Sequence, residues 1–160
     1  MINGIDRNVA VGLLSSEEKR VSGLGRTLAA AVLKTANKDD EEATQVLIQA
    51  LLRDRQPETR AQSALSLGEI YVNAGNSKSG IRVKQALFKA LEQETSTDGS
   101  NNASSRKVIG NIAYALCNID PSLNEIIKKL PVISFSHKGT PVPVESRHYP
   151  NSVPVYSSRL

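Results

Sequence analysis

The sequence predicts an all-α fold: a short right-handed α-α superhelix of about three helical hairpins over residues 1–130, followed by an extended Pro-rich C-terminal arm over residues 131–160. Three observations predict it. Apolar residues fall at i, i+3, i+4, i+7 and i+8 in several stretches, the spacing that gathers them on one helix face. Those stretches recur at intervals of about 40 residues, the period of paired-helix solenoid units. From Pro131 the composition changes, and Pro131, Pro141, Pro143, Pro150 and Pro154 forbid a continuing helix.

Helices are expected at residues 4–14, 16–36, 41–53, 57–74, 81–94 and 104–119, with a shorter one from Pro121 to near Leu130. The repeat is clearest in the stripe Ala43, Val46, Leu47, Ala50 and Leu51, which returns as Val83, Ala86, Leu87, Ala90 and Leu91. A second helix follows each of these. Its stripe after Pro57 is Ala61, Ala64, Leu65, Gly68 and Val72, widened by Leu67 and Ile70. Val21, Leu24, Gly25, Leu28 and Val32 are expected to match it, again about 40 residues earlier. The stretch Gly110–Ile119 aligns with Ala61–Ile70 at a larger displacement, and the polar insert Thr95–Ser104 accounts for the excess. Start and stop signals agree. Ser15 and Glu18 have capping-box spacing, Pro57 suits a first turn, and Gly75, Asn76 and Gly80 are expected to close one helix and open a turn.

The stretch Ala50–Ile70 resembles a HEAT-type repeat, including the bacterial variety found in bilin-lyase-like proteins. Asp54, Pro57 and Arg60 in the turn carry the resemblance, with the Ala-Leu-x-x-Leu-Gly-x-Ile run behind them. It implies a structural role for Asp54 and Arg60, holding the turn and linking neighbouring repeats. The resemblance extends over residues 4 to 130 in degraded copies. The first keeps Arg20 but has Ser-Glu-Glu in place of the Asp and Pro, and the third replaces the turn with its polar insert. Scaffolds, transport receptors and lyase subunits share such a solenoid, so the fold narrows function little.

Composition bounds the chemistry. With 160 residues, 39% of them hydrophobic and 22% charged, the chain can bury one core, and 4% aromatic content makes that core aliphatic. A net charge of +4 is spread along the chain with no basic block, which disfavours nucleic acid. The single Cys117 allows no internal disulfide and suits a reducing compartment. The N-terminus lacks the apolar segment of a secretory signal, and the apolar stretch Leu28–Leu33 is too short to span a bilayer, so a cytoplasmic location without membrane insertion is expected. His137 and His148 both lie in the arm without metal-ligand spacing. Cys117 sits on an apolar helix face, where it acts as a small hydrophobe and not as a nucleophile. Asp39, Asp40, Glu41 and Glu42 sit at a helix start, where they complement the macrodipole. The glycines of Ser22–Arg26 lie inside a helical period with no preceding strand, so close helix packing explains Gly25 better than a phosphate loop. No catalytic residue, metal or cofactor is expected.

The arm is too apolar for a solvated linker. Ile133, Phe135, Val142, Val144, Tyr149, Val153, Val155 and Tyr156 gain by burial, against either the chain's own solenoid or a neighbouring subunit. These features predict a scaffold, adaptor or structural subunit that binds other protein subunits, with self-association open to it. Its concave surface is expected to carry Arg26, Gln62, Ser66, Glu69, Asn73, Asn111 and Asn118. The alternatives are a bilin-lyase-like accessory subunit, which the repeat type alone suggests, and a nucleic-acid-binding solenoid, which few aromatics and scattered charge make the weakest.

Overall fold

Seven α-helices and two 3-10 turns make up the described part of the chain, residues 6–16, 21–96 and 103–130 of a computed structural model. They are α1 (Arg7–Ser15), α2 (Gly23–Val32), α3 (Glu41–Arg53), α4 (Pro57–Ile70), α5 (Lys78–Ser96), α6 (Ala103–Ile119) and α7 (Asn124–Ile127). The 3-10 turns are Leu33–Thr35 and Pro121–Leu123, and no strand occurs among the described residues. The packing has two rows. In the first row α3 contacts both α1 and α5; in the second, α4 lies against both α2 and α6. Rungs between the rows join α1 to α2, α3 to α4 and α5 to α6.

The apolar pattern dictates the first row. Ala43, Val46, Leu47, Ala50 and Leu51 of α3 are all buried, and so are Val83, Ala86, Leu87, Ala90 and Leu91 of α5. Each fully buried leucine of this kind stabilises the fold by about 1.5–3 kcal/mol. In the second row, Ala61–Ile70 and Gly110–Ile119 present matching buried positions, including Ala64 with Ala113, Leu67 with Leu116 and Ile70 with Ile119.

α2 departs from expectation. The helix starts at residue 23 instead of 16, because its N-cap is Ser22, whose side chain accepts the Gly25 N–H at 3.1 Å. Ser15 instead ends α1, where its hydroxyl donates to Val11 O, and Glu18 lies outside the described residues. The expected buried stripe is also displaced. Leu24 is 71% exposed and Leu28 43%, whereas Ala29, Ala30 and Leu33 are buried. Thr27, Ala30 and Leu33 thus correspond to Ala61, Ala64 and Leu67, a displacement of 34 residues. The inter-helix seams agree: Ser66 Oγ donates to Ala30 O at 2.7 Å, and the Thr27 and Thr59 hydroxyls lie 3.1 Å apart.

α4 ends at Ile70, short of residue 74. Asn73 takes a left-handed backbone at φ 56°, and its N–H donates to Asn118 O at 2.9 Å, ending the helix against the end of α6. Gly75 N–H likewise donates to Ile119 O. Gly80 does not form the expected turn. It lies in the first turn of α5, with its N–H on the Ser77 hydroxyl, and a β-carbon there would meet Ala74 O at 1.9 Å.

α4 and α6 approach closely at Gly68 of α4, where a β-carbon would stand 2.7 Å from Ala115 Cα and 2.8 Å from its Cβ. Contact with the facing backbone leaves no flexible side chain to yield. Gly68→Ala should therefore destabilise despite its better helix propensity, by about 1–3 kcal/mol in urea unfolding, the usual range for overpacking. A stabilised or neutral variant would mean that α4 and α6 do not meet there.

Candidate partner-binding surface

The Asp54–Arg60 turn joins three hairpins. Asp54 is buried, accepts the Gln56 N–H at 2.9 Å and takes the Arg26 guanidinium at 2.6 Å. Arg26 also donates to Leu13 O and Ser16 O, so one side chain serves the last carbonyls of α1 and the turn of the next hairpin. Arg60 donates to Asp54 O at 2.9 Å and pairs with Glu94 of α5 at 2.6 Å. Pro57 occupies the first turn of α4.

Arg26 is therefore a structural clamp, largely covered and committed to Asp54, and not part of the open surface expected of it. Ser66 and Asn111 are corrected likewise. Both are fully buried, Ser66 in the α2–α4 seam and Asn111 in the α4–α6 seam, where its Nδ2 donates to Ala61 O at 3.3 Å. A small polar side chain satisfied by a neighbouring helix carbonyl can be interior, so polarity was a poor guide to exposure. Gln62 and Asn118 are half-buried, and Glu69 and Asn73 are exposed. Glu69 approaches Lys34 at 3.8 Å, a second-row contact between neighbouring hairpins. The arm residues Ile133, Phe135, Val142, Val144, Tyr149, Val153, Val155 and Tyr156 lie outside the described residues, as do His137 and His148.

What the sequence pattern missed is an apolar strip on α2. Leu24 and Leu28 stand one turn apart and exposed, and Leu24 borders an open cleft of about 390 Å³ with Gly23, Thr27, Gln56 and Glu58. Their helical spacing is that of a buried stripe, so spacing alone does not tell the exposed face from the covered one. The 34-residue alignment with α4 would have revealed it, since it puts Leu24 opposite Glu58 and Leu28 opposite Gln62.

The acidic run caps and ties. Asp40 is the N-cap of α3, accepting the Ala43 N–H at 3.0 Å, and Arg7 of α1 reaches both Asp40 at 2.8 Å and Glu42 at 2.7 Å. Glu41 pairs with Arg82 of α5. The Arg7 hydrogen bond holds the Asp40 carboxyl below its ordinary 3.8. Lys84, 2.7 Å from Asp120, does the same there, helped by the Ser122 hydroxyl. Gly25 faces no other helix; a β-carbon there would meet only the local Ser22 hydroxyl and Val21 side chain, so it serves the cap and not the expected packing. Cys117 is buried, and desolvation pushes its thiol up to about 11, with Lys128 pulling weakly the other way.

Among the described residues no group of three His, Cys, Asp or Glu side chains could hold a metal ion, and no helix is long and apolar enough to cross a membrane. Fold and surface together define an all-helical protein of paired, packed helices with an apolar strip left open on one of them. Compared with protein-family models, with curated proteins and with solved structures, the chain finds no match in any of the three.

Two tests follow from these environments. A carboxylate depressed in the folded state contributes stability that is complete above its unfolded value and is lost as pH falls through the folded one. Unfolding free energy should therefore fall as pH drops below about 4, and Asp120→Asn should flatten part of that decline. An identical slope in the variant would show that Lys84 does not hold Asp120. Cys117 should resist alkylation at pH 8 in the folded protein and react fully in denaturant; rapid labelling of the native state would place the thiol at the surface.

Proposed function

We propose that the chain is a non-catalytic, cytoplasmic HEAT-like adaptor or structural subunit, a right-handed α-α superhelix that binds other protein subunits through its second-row helices and its C-terminal arm. One observation carries this reading: Leu24 and Leu28 form an exposed apolar pair beside a cleft, on a helix whose own packing uses a different face. Single exposed leucines are ordinary, but a pair at one-turn spacing next to a concavity has the form of an anchor site for a partner's apolar side chains. Polar side chains line the cleft beside Leu24, Thr27, Gln56 and Glu58 among them, as around the desolvated centre of an interface. Arg26, Ser66 and Asn111 act in this reading behind the surface, fixing the spacing of the helices that carry it.

Partner subunits that co-purify with the full chain provide the test. Leu24→Asp with Leu28→Asp removes two apolar contacts of about 1.5 kcal/mol or more each, so affinity for the purified partner should fall by at least about tenfold to a hundredfold. Helical circular dichroism and the unfolding midpoint should not change, since neither side chain supports the core. If this variant and a chain lacking residues 131–160 both kept every partner at full affinity, the adaptor reading would be wrong.

A further inference from the structure

Two open apolar faces lie in the first and last hairpins, and they differ in charge. The first is the α2 strip of Leu24 and Leu28. Its cleft is lined by Gly23, Leu24, Thr27, Gln56 and Glu58, so one carboxylate faces it and no cation does. Among the described residues Glu58 has no ion pair or side-chain hydrogen bond. The two arginines that hold the neighbouring turn are committed elsewhere, Arg26 to Asp54 and Arg60 to Glu94, and the exposed Arg55 does not line the cleft.

The second face is on α5. Val83, Leu87, Ala90 and Leu91 are buried on one side of this helix, while on the other Ile81 is 45% exposed and Phe88, two turns on, is 43% exposed. No described helix follows α5 in its row. Lys78 and Lys89 are exposed at either end of the Ile81–Phe88 stretch, and among the described residues neither is held in an ion pair. Lys84, between them, is tied to Asp120. The exposed Glu92 comes one turn beyond Phe88, so the stretch from Lys78 to Lys89 is cationic and the end of the helix is not.

We propose that the α5 face of one copy of this chain docks on the α2 cleft of a second copy, with Ile81 and Phe88 against Leu24 and Leu28 and with Glu58 facing the flanking lysines. Charge decides which faces meet. Two α2 strips brought together set Glu58 against Glu58, and two α5 faces set lysine against lysine, whereas the mixed pairing joins opposite charges. The apolar spacing agrees, since Leu24 with Leu28 and Ile81 with Phe88 each form a stripe along one helix, the form in which a helix face seats on a groove. Each copy carries both faces, so the contacts either close into a symmetric assembly or run on from copy to copy. Four apolar side chains make a contact at the small end of protein interfaces, which sets association at micromolar concentrations and above. The choice of a second copy as occupant rests on the reading of the α2 strip as a docking site.

Sedimentation velocity of the full-length chain, from low micromolar to submillimolar protein, should show mass rising above one chain with concentration. Leu24→Asp with Leu28→Asp should abolish the rise with helical circular dichroism preserved. Phe88→Asp should do the same, as should Phe88→Ser, which removes the ring without adding charge. The decisive sample mixes the α2 variant with Phe88→Asp. Between them one α2 strip and one α5 face remain intact, so the mixture should form a complex of two chains and nothing larger. Adding Glu58→Lys to the chain that keeps the strip should weaken that complex at least about threefold. A chain monomeric at every concentration, a mixture that does not associate, association that survives both Phe88 variants, or a Glu58→Lys complex as tight as its parent would each overturn the pairing. Failure of the adaptor reading is seen separately, in other proteins that stay co-purified with the Leu24 and Leu28 variant and with the chain lacking residues 131–160.

Discussion

α4 has neighbours on three sides, α2, α3 and α6, and the rest of the architecture depends on how near they can come. The helix meets that demand with small side chains. Toward α2 it presents Thr59, Ser63 and Ser66, all buried; toward α6 it presents Ala61 and Gly68. Close approach brings backbone against backbone, and dispersion over many atoms replaces the bulk a leucine would supply. The hydroxyls buried in the process find acceptors, Ser63 on Thr59 O at 2.8 Å and Ser66 on Ala30 O at 2.7 Å. Net gain from each such bond is modest, about 0.5–1.5 kcal/mol, but leaving either hydroxyl unpaired would cost more than that. The seams therefore select for spacing as strictly as an aliphatic core selects for volume.

Charge sets how the hairpins index on one another. At one end of the stack Arg26 reaches Asp54, and Arg60 reaches Glu94, each arginine linking its own hairpin to the next. At the other end Arg7 reaches Asp40 and Glu42, while Arg82 reaches Glu41. The exposed pairs among these are worth little, about 0–1 kcal/mol. Arg26 differs because Asp54 is nearly inaccessible: removing the guanidinium would leave a buried carboxylate and strip the end of α1 of its donor. Apolar burial supplies the cohesion, and these arginines choose among the sliding positions that apolar stripes alone would tolerate.

The first row was legible because its code is redundant. Leu47, Leu51, Leu87 and Leu91 are large, buried and spaced at helical intervals, so α3 and α5 follow from periodicity and their correspondence from a shift of 40 residues. The second row was legible as helices but not in register at its start. α2 buries alanines, Ala29 and Ala30, and exposes leucines, Leu24 and Leu28, the inverse of what side-chain hydrophobicity suggests. Close packing explains the inversion, since a seam that admits Ser66 against Ala30 O has no room for a leucine. The same physics hid the interior positions of Ser66 and Asn111, whose polarity suggested solvent. Asp54 and Arg60 were legible as a turn, while their partners Arg26 and Glu94 were not, because those pairings span 28 and 34 residues with no local signal.

Set against α4, the strip on α2 stands out as particular to one helix. At the matching positions α4 carries Glu58 and Gln62, so the geometry of the second row accepts polar side chains there and the fold gains nothing from leucine. Leu24 and Leu28 therefore carry a hydration cost that packing among the described helices does not relieve. Phe88 on α5 has a different setting, since its counterpart Ile48 packs against the core and α5 is the last described helix of its row. Two kinds of exposed apolar side chain thus coexist: one left over where a repeating contact runs out, and one placed where the repeat calls for polarity. The first marks where a row of described helices ends, and the second lies on a face that the repeat itself does not require to be apolar.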